Sequence, residues 1–169
     1  MLHTLLRARA LLNFPTPLLA DCGRLCGAAC CAPQANGTVS GMLLYPGEAE
    51  LYADVAWARM LPTDWRVGGE ATPLLVCAGR CPRADRPLAC RLFPLAPRMG
   101  DGPPVARLDP QAGAVCPLAP SGVGGLAPGF VRAAQDAFAL LWTHPAHRDF
   151  LIALAGELDA LEALNPFAR

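Results

Sequence analysis

Lysine is absent from this chain of 169 residues, and all 14 of its basic side chains are arginine. Fourteen acidic residues balance them, so the formal net charge is +0, and charged residues make up only 17% of the sequence. A protein that binds nucleic acid normally presents a basic face, and this balance gives no electrostatic reason to expect one. We therefore expect no nucleic-acid partner.

Long hydrophobic runs are also absent. No stretch reaches the roughly 18 uninterrupted apolar residues that a membrane span requires. The apolar segment 1–20 contains two arginines and is interrupted by Asn13, Pro15 and Pro17, and an acidic residue precedes Cys22. This pattern does not match a cleaved signal peptide. We therefore expect no membrane partner and a cytoplasmic location, where thiols stay reduced.

Glycine and proline are abundant, with 16 and 18 residues, and together they form about a fifth of the chain against a usual share of about an eighth. They predict many turns, while the hydrophobic content of 53% is too high for a disordered chain. The length suits one domain with its own core. We predict a single α+β domain over residues 1–169, with short antiparallel strands, cysteine-rich loops, a C-terminal helix pair and stabilisation by metal.

Local patterns predict the individual elements. We expect a helix over Leu2–Leu12, a strand over Gly41–Tyr45, a helix from Gly47 to Met60, a hairpin of Trp65–Val67 with Pro73–Cys77, a loop over Pro94–Pro104, and a hairpin of Val105–Leu108 with Ala114–Cys116. Residues 127–164 are predicted to be helical, because apolar residues recur at helical spacing: Phe130, Val131, Ala134, Phe138 and Leu141, then Phe150, Leu151, Leu154, Leu158, Leu161 and Leu164.

The eight cysteines are the feature that carries chemistry. They fall into a dense first cluster and a second, more dispersed group: Cys22, Cys26, Cys30 and Cys31, then Cys77, Cys81, Cys90 and Cys116. Zinc and iron prefer thiolate ligands, and four thiolates complete a tetrahedral site. Glycine after a ligand, as at Gly23 and Gly27, permits a tight turn and leaves an amide free to bond the sulfur. The count predicts two four-cysteine sites in the region 22–116.

The pairing of cysteines with sites stays open at this stage. Side chains of adjacent residues tend to point apart, so Cys30 and Cys31 are expected to serve two neighbouring sites, each drawing sulfurs from both clusters. The arginines Arg80, Arg83, Arg86 and Arg91 are expected to offset the thiolate charge. A disulfide framework and buried inert thiols are the alternatives, and the cytoplasmic prediction and the density of the first cluster disfavour them.

Two further groups of titratable residues lie outside the cysteines. His144 and His147 could supply ligands or a base, but isolated histidines are more often capping or surface groups. Glu48 and Glu50 are interpreted as charges at a helix start. No glycine-rich phosphate loop occurs.

The cysteine pattern resembles the YkgJ-type cysteine-cluster family, whose members are described as zinc- or iron-chelating domains. The resemblance covers about residues 22–116 and rests on the Cys30–Cys31 pair and on the string Arg86-Pro87-Leu88-Ala89-Cys90-Arg91-Leu92-Phe93-Pro94. The first two cysteine spacers are one residue longer than in the family pattern. The resemblance implies eight cysteine ligands in a small metal-bound fold.

Three function classes follow from this interpretation. The chain could be a binding protein for zinc or iron, with metal ions as its partners. It could be an iron–sulfur oxidoreductase, or an accessory protein for a modification reaction such as protein methylation, because flagellin lysine methylases resemble this family in their cysteine cluster. It could also be an interaction protein whose surface is held by structural metal sites. We take metal chelation as the leading prediction, with zinc or an iron–sulfur cluster as the cofactor.

Overall fold

The computed structural model describes residues 1–32, 41–79 and 81–164, and these form an α+β fold, as predicted. The α-helices are α1 (Leu2–Leu11), α2 (Gly23–Cys26), α3 (Leu88–Leu92), α4 (Pro128–Trp142) and α5 (Pro145–Leu164). The strands are β1 (Met42–Leu43), β2 (Ala58–Leu61), β3 (Arg66–Val67), β4 (Glu70–Ala71), β5 (Leu74–Cys77), β6 (Leu95–Arg98) and β7 (Val105–Leu108). Among the described helices, none is long and apolar enough to span a membrane.

The main core forms where α1 and α5 pack against α4. Fully buried side chains on the three helices include Leu5, Phe138 and Phe150, and Tyr45 packs on Phe150 with ring centroids 4.5 Å apart. The predicted apolar stripe is confirmed along α4 and along α5 as far as Leu158. It does not extend to the end of α5, where Leu161 and Leu164 are exposed.

The largest sheet has three antiparallel strands in the order β1-β5-β2. Its central strand brings Cys77 opposite Ala58, so a predicted ligand lies at the edge of a regular element. The predicted turn at Gly68 and Gly69 is confirmed, and both residues have positive φ. The expected pairing of Trp65–Val67 with Pro73–Cys77 is wrong, because β3 pairs with β4 whereas β5 pairs with β1 and β2.

The helix expected from Gly47 to Met60 is wrong. A 3₁₀ helix covers only Glu48–Tyr52, and β2 begins at Ala58. The physical reason is tertiary, because the Glu48 carboxylate is buried and accepts hydrogen bonds from distant groups. Acidic residues near Gly47 therefore do not indicate a solvated first helical turn here.

The expected second hairpin is also wrong. β7 pairs with β6, with Leu95 opposite Leu108, so the segment Pro94–Pro104 contains a strand where a loop was expected. Leu95 and Ala96 are buried against the helices, and that burial outweighs the turn signal of the surrounding prolines. Residues Ala112–Ala114 form a 3₁₀ turn that leads to Cys116.

Candidate metal centre

The eight cysteines reach the site from stretches that lie far apart in the sequence. The loop around α2 carries Cys22, Cys26, Cys30 and Cys31; Cys77 ends β5 and Cys81 follows it; α3 carries Cys90, and Cys116 follows the turn Ala112–Ala114. All eight are free thiols, of which Cys30 is exposed and the other seven are partly buried. The fold thus gathers the two cysteine clusters of the sequence at one side of the molecule.

A cavity of about 500 Å³ lies between the α2 loop and the segments that carry Cys90 and Cys116. Six thiols line it: those of Cys22, Cys26, Cys30, Cys31, Cys90 and Cys116. Cys77 and Cys81 do not line it. The cavity wall is therefore unusually rich in sulfur, and both halves of the predicted ligand set contribute to it.

The α2 loop turns sharply between its cysteines. The amide of Gly23 donates a hydrogen bond to the Asp21 carboxylate at 3.1 Å, and Gly27, with φ +61°, caps the C-terminus of α2. The next residue, Ala28, also has a left-handed backbone, with φ +59°, which costs an L-residue about 1 kcal/mol. This turn brings Cys30 and Cys31 back to the cavity that Cys22 and Cys26 also line.

Cys22, Cys26 and Cys116 form one neighbourhood. The sulfur of Cys26 lies 3.7 Å from the carbonyl oxygen of Cys22. Burial raises the pKa of Cys22, negative charge on Cys26, Asp21 and Cys116 raises that pKa further, and Arg86 opposes the shift. The three sulfurs are thus close enough to interact electrostatically.

Cys77 and Cys81 form a second neighbourhood together with Cys31. Cys81 and the Gly79 amide both lie close enough to Cys77 to act on the pKa of its thiol. Burial raises the pKa of Cys77, the Gly79 amide opposes the shift, and charge on Cys81 and Cys31 adds to it. Gly79 has φ +91°, and a Cβ there would lie 3.8 Å from the carbonyl oxygen of Cys31, so the α2 loop passes against this turn.

Arg86 is a cation near both thiol neighbourhoods, since it lines the cavity and acts on Cys22 as well as on Cys31 and Cys81. Burial lowers the pKa of Arg86, but the neighbouring Cys81, Cys31 and Cys90 raise it more, and the buried Nε has no hydrogen-bond partner among the described residues. Burial raises the pKa of Cys90, charge on Cys31 and Cys81 raises it further, and Arg86 opposes the shift. Arg86 therefore lies where a group of thiolates would need positive charge.

The other arginines of that segment have different roles. Arg83 is exposed and donates to the carbonyl oxygen of Asn13 at 3.4 Å. Arg91 is buried and bonds backbone carbonyls, including that of Ala84 at 2.6 Å, instead of sulfur. Arg80 lies outside the described residues. The sequence therefore identified the basic segment but not which arginine faces the thiols.

The adjacent pair Cys30 and Cys31 differs from expectation. Their side chains do not point apart, since the two sulfur atoms lie 3.9 Å from each other. Either sulfur can donate in this contact. The interaction with Cys30 lowers the pKa of Cys31 to about 6 against the opposing effect of burial, with a smaller contribution from Arg86. The pair is thus the point at which the two thiol neighbourhoods meet.

Glu48 stabilises the start of the helix that carries Cys90, and sequence analysis did not predict this role. Its carboxylate is fully buried, forms an ion pair with Arg9 at 2.8 Å, and accepts the backbone amides of Leu88 at 2.7 Å and Tyr45 at 3.2 Å. Leu88 is the first residue of α3, so Glu48 holds the helix that carries Cys90. One sequence feature could have indicated this role: Glu48 is an acidic residue that lies close to Leu44, Tyr45 and other apolar residues.

His144 and His147 lie near each other, with ring centroids 5.2 Å apart. His147 is fully buried, and its Nε2 lies 3.1 Å from the carbonyl oxygen of Met1. The expectation of capping or surface histidines is therefore wrong for His147. Neither residue lines the cysteine cavity.

His147 predicts a pH dependence of stability. Burial lowers its pKa below the ordinary value of 6.5, so the unfolded chain takes up the proton first as the pH falls. The free energy of unfolding should drop below pH 6.5, by at most about 1.4 kcal/mol per pH unit, until the folded pKa is passed. Urea unfolding of His147→Gln should show a flatter pH profile, and the exposed His3→Gln should keep the parent slope. Equal slopes for both variants would contradict this assignment.

The donor set fits a metal by its chemistry, because eight thiols from both halves of the chain gather with a guanidinium and an amide donor beside them. Within residues 1–32, 41–79 and 81–164, however, no three His, Cys, Asp or Glu side chains already lie in a metal-holding arrangement. The thiols would have to turn toward a shared ion. Such adjustment is common where metal binding and folding are coupled.

Comparisons with known proteins find no match, whether with family models, with curated proteins or with solved structures. The resemblance to the YkgJ-type family therefore stays a prediction carried by the cysteine pattern and by the string around Cys90. Function has to be argued from the side chains themselves.

Proposed function

We propose that this protein chelates zinc or iron, the latter as an iron–sulfur cluster, through its eight cysteines in two neighbouring four-cysteine centres. The observation that carries the proposal is the convergence of thiols from distant stretches: six line one cavity, and Cys77 and Cys81 adjoin Cys31. Packing alone gives no reason to gather every cysteine of a chain at one place. Shared soft ligands for a metal do give one.

The surroundings of the thiols support this proposal. Four thiolates around a divalent ion carry a net negative charge, and burying that charge requires cations or amide donors. Arg86 and the Gly79 amide are such donors. A disulfide framework is the weaker explanation, because all eight cysteines are free thiols.

The bound metal would supply a cross-link between separate parts of the fold. It would tie the α2 loop to the end of β5, to α3 and to the segment of Cys116. Among these pieces the α2 loop has little packing of its own, since α2 and the 3₁₀ helix Ala29–Cys31 contain no buried residue. Metal binding is therefore expected to contribute directly to the stability of this region.

Metal content tests the proposal. Purified without oxygen, the protein should be colourless with about two zinc ions per chain, or brown with iron and acid-labile sulfide. Cys30→Ala and Cys90→Ala should each lower metal content and folding stability, because each removes a ligand. Val115→Ala is the matched control, because Val115 lines the same cavity without offering a metal-binding atom.

Two outcomes would overturn the proposal. One is a chain that holds neither zinc nor iron and whose cysteines are found as disulfides. The other is full metal content in both cysteine variants, which would remove Cys30 and Cys90 from the ligand set. Zinc content without sulfide would reject the iron–sulfur form, and iron with sulfide would reject the zinc form.

A further inference from the structure

The cavity beside the α2 loop offers more space than metal ions need. Its volume of about 500 Å³ falls within the range of about 300–1,000 Å³ that is typical of small-molecule sites. Zinc lies about 2.3 Å from each thiolate sulfur, so an ion held by four thiolates fills only the space between its ligands. The cavity wall also contains apolar side chains, among them Leu12, Pro17, Phe93, Val115 and Leu118. The thiols therefore account for only part of this cavity.

Arginine dominates the charged part of the same wall. Four arginines line the cavity, and Asp21 is the one acidic side chain of the wall: the arginines are Arg24, Arg83, Arg86 and Arg91. Within the part of the chain that the structure describes, none of these four forms a salt bridge. Walls of low dielectric constant focus the field of such charges into a cleft, so this cavity attracts anions.

We propose that the cavity binds a small organic anion, whose carboxylate or phosphate group pairs with the guanidinium groups of Arg24 and Arg86. The body of the ligand would rest against the apolar part of the wall. An inorganic anion would leave that part uncovered, whereas a mixed wall of apolar groups and a few charged donors suits an organic molecule. This binding is distinct from metal chelation and does not require a bound metal.

The four arginines differ in what their guanidinium groups already bind. Arg91 is buried and donates to the backbone carbonyls of Arg86 at 2.7 Å and Ala84 at 2.6 Å, so its role is structural. Arg83 donates to the carbonyl oxygen of Asn13 at 3.4 Å. The two remaining arginines, Arg24 and Arg86, are therefore the better candidates for contact with a ligand.

Arg86 and Arg24 approach the cavity from separate parts of the fold. The Nε atom of Arg86 is buried and has no hydrogen-bond partner among the described residues, and an anionic oxygen would satisfy it. Arg24 is an exposed residue of α2, and the nearby Asp21 carboxylate accepts the amide of Gly23 at 3.1 Å. A guanidinium binds a carboxylate or a phosphate through two parallel hydrogen bonds. An anion in this cavity can thus contact the α2 loop and the segment before α3.

The experiment titrates the full chain, as purified, with matched probes and follows binding by nuclear magnetic resonance. Phenylacetate and phenyl phosphate carry the two kinds of anionic group, and phenylacetamide is the neutral control with the same apolar body. The better anion should bind about tenfold or more tightly than phenylacetamide, because it adds charge-assisted hydrogen bonds. It should shift the signals of the Arg86 Nε–H group and of the Val115 and Leu118 amides. The order of phenylacetate and phenyl phosphate tells which anionic group the cavity prefers.

Arginine variants locate the binding. Arg24→Met and Arg86→Met should each weaken binding of the better anion about tenfold or more and leave that of phenylacetamide unchanged. Arg98→Met, which replaces an exposed arginine of β6, should keep the parent affinity. The comparison of the anions with phenylacetamide on the unmodified chain decides the question even where Arg86→Met fails to fold.

Three results would overturn the anion site. One is equal affinity for phenylacetamide and both anions, and another is the absence of any shift at about 10 mM of either anion. The third is full affinity in both Arg24→Met and Arg86→Met, which would result if the probe bound a metal ion directly. Each of these leaves metal chelation intact, because metal content is measured separately.

Discussion

Glu48→Ala should lower the free energy of unfolding by about 3–5 kcal/mol, the usual cost of removing one partner from a buried ion pair. Glu48 is fully buried, and the substitution would leave Arg9, itself only 8% exposed, without its carboxylate. It would also strip the acceptor from the amide of Leu88. Urea unfolding followed by circular dichroism measures the loss.

Two further variants test whether the loss of stability in Glu48→Ala comes from the buried ion pair with Arg9. Glu50→Ala removes the same group two residues away, where the side chain is exposed, and should stay within about 0.5 kcal/mol of the parent. Arg9→Met combined with Glu48→Met should recover part of the loss, because no charge then remains buried. A Glu48→Ala loss below about 1 kcal/mol would mean that water reaches the Arg9 guanidinium on mutation.

Glu48 also links global stability to the candidate metal centre. Its bond to Leu88 lies at the start of α3, two residues before Cys90. Arg9 in turn hydrogen-bonds the Tyr52 hydroxyl, and Tyr52 donates to the carbonyl oxygen of Asp85 at 2.8 Å. A chain of buried polar contacts therefore runs from α1 to the segment just before the Cys90 helix.

Arg91→Met should cost about 2–3 kcal/mol, the cost expected for charge-assisted hydrogen bonds whose acceptors stay behind. The buried Arg91 guanidinium donates to the carbonyl of Arg86 at 2.7 Å, to that of Ala84 at 2.6 Å, and to the Asn13 side chain at 2.6 Å. Without these bonds, the turn over Arg83–Asp85 loses its attachment to the end of α1. Urea unfolding and cleavage by trypsin after Arg83 should both report the change.

Arg98→Met is the matched control for Arg91, because Arg98 is exposed on β6 and should tolerate the substitution within about 0.5 kcal/mol. Arg91→Lys should recover only part of the loss, because an ammonium group cannot span several carbonyls as a guanidinium does. Unchanged stability and unchanged cleavage in Arg91→Met would show that the carbonyls of this turn find other donors.

The sequence predicted those elements whose structure depends on a local pattern of neighbouring residues. The stripe of Phe130, Phe138 and Leu141 repeats with the helical period, and α4 follows it closely. The predicted helix at residues 2–12 is confirmed to within one residue, and so is the turn at Gly68. In each case the residues that decide the structure are neighbours in the sequence, so the pattern alone contains the answer.

Prediction failed where a distant partner outweighed the local signal. The segment after Gly47 carries two acids and resembles a helix start, yet Glu48 turns inward to meet groups 39 and 40 residues away. Val105–Leu108 pairs with a proline-containing strand that precedes it, not with the segment that follows. Contacts of this kind depend on how elements pack, and no pattern within a short window specifies them.

The sequence by itself determined the chemistry of the candidate site: eight thiols, clustered, with arginine near the second group. Side-chain type and spacing are properties of the chain alone. Tertiary structure decided which thiols share a neighbourhood, that Arg86 and not Arg91 faces them, and that Glu48 supports the helix of Cys90. The physical reason is that side-chain environment is set by long-range packing, which joins residues that the sequence keeps far apart.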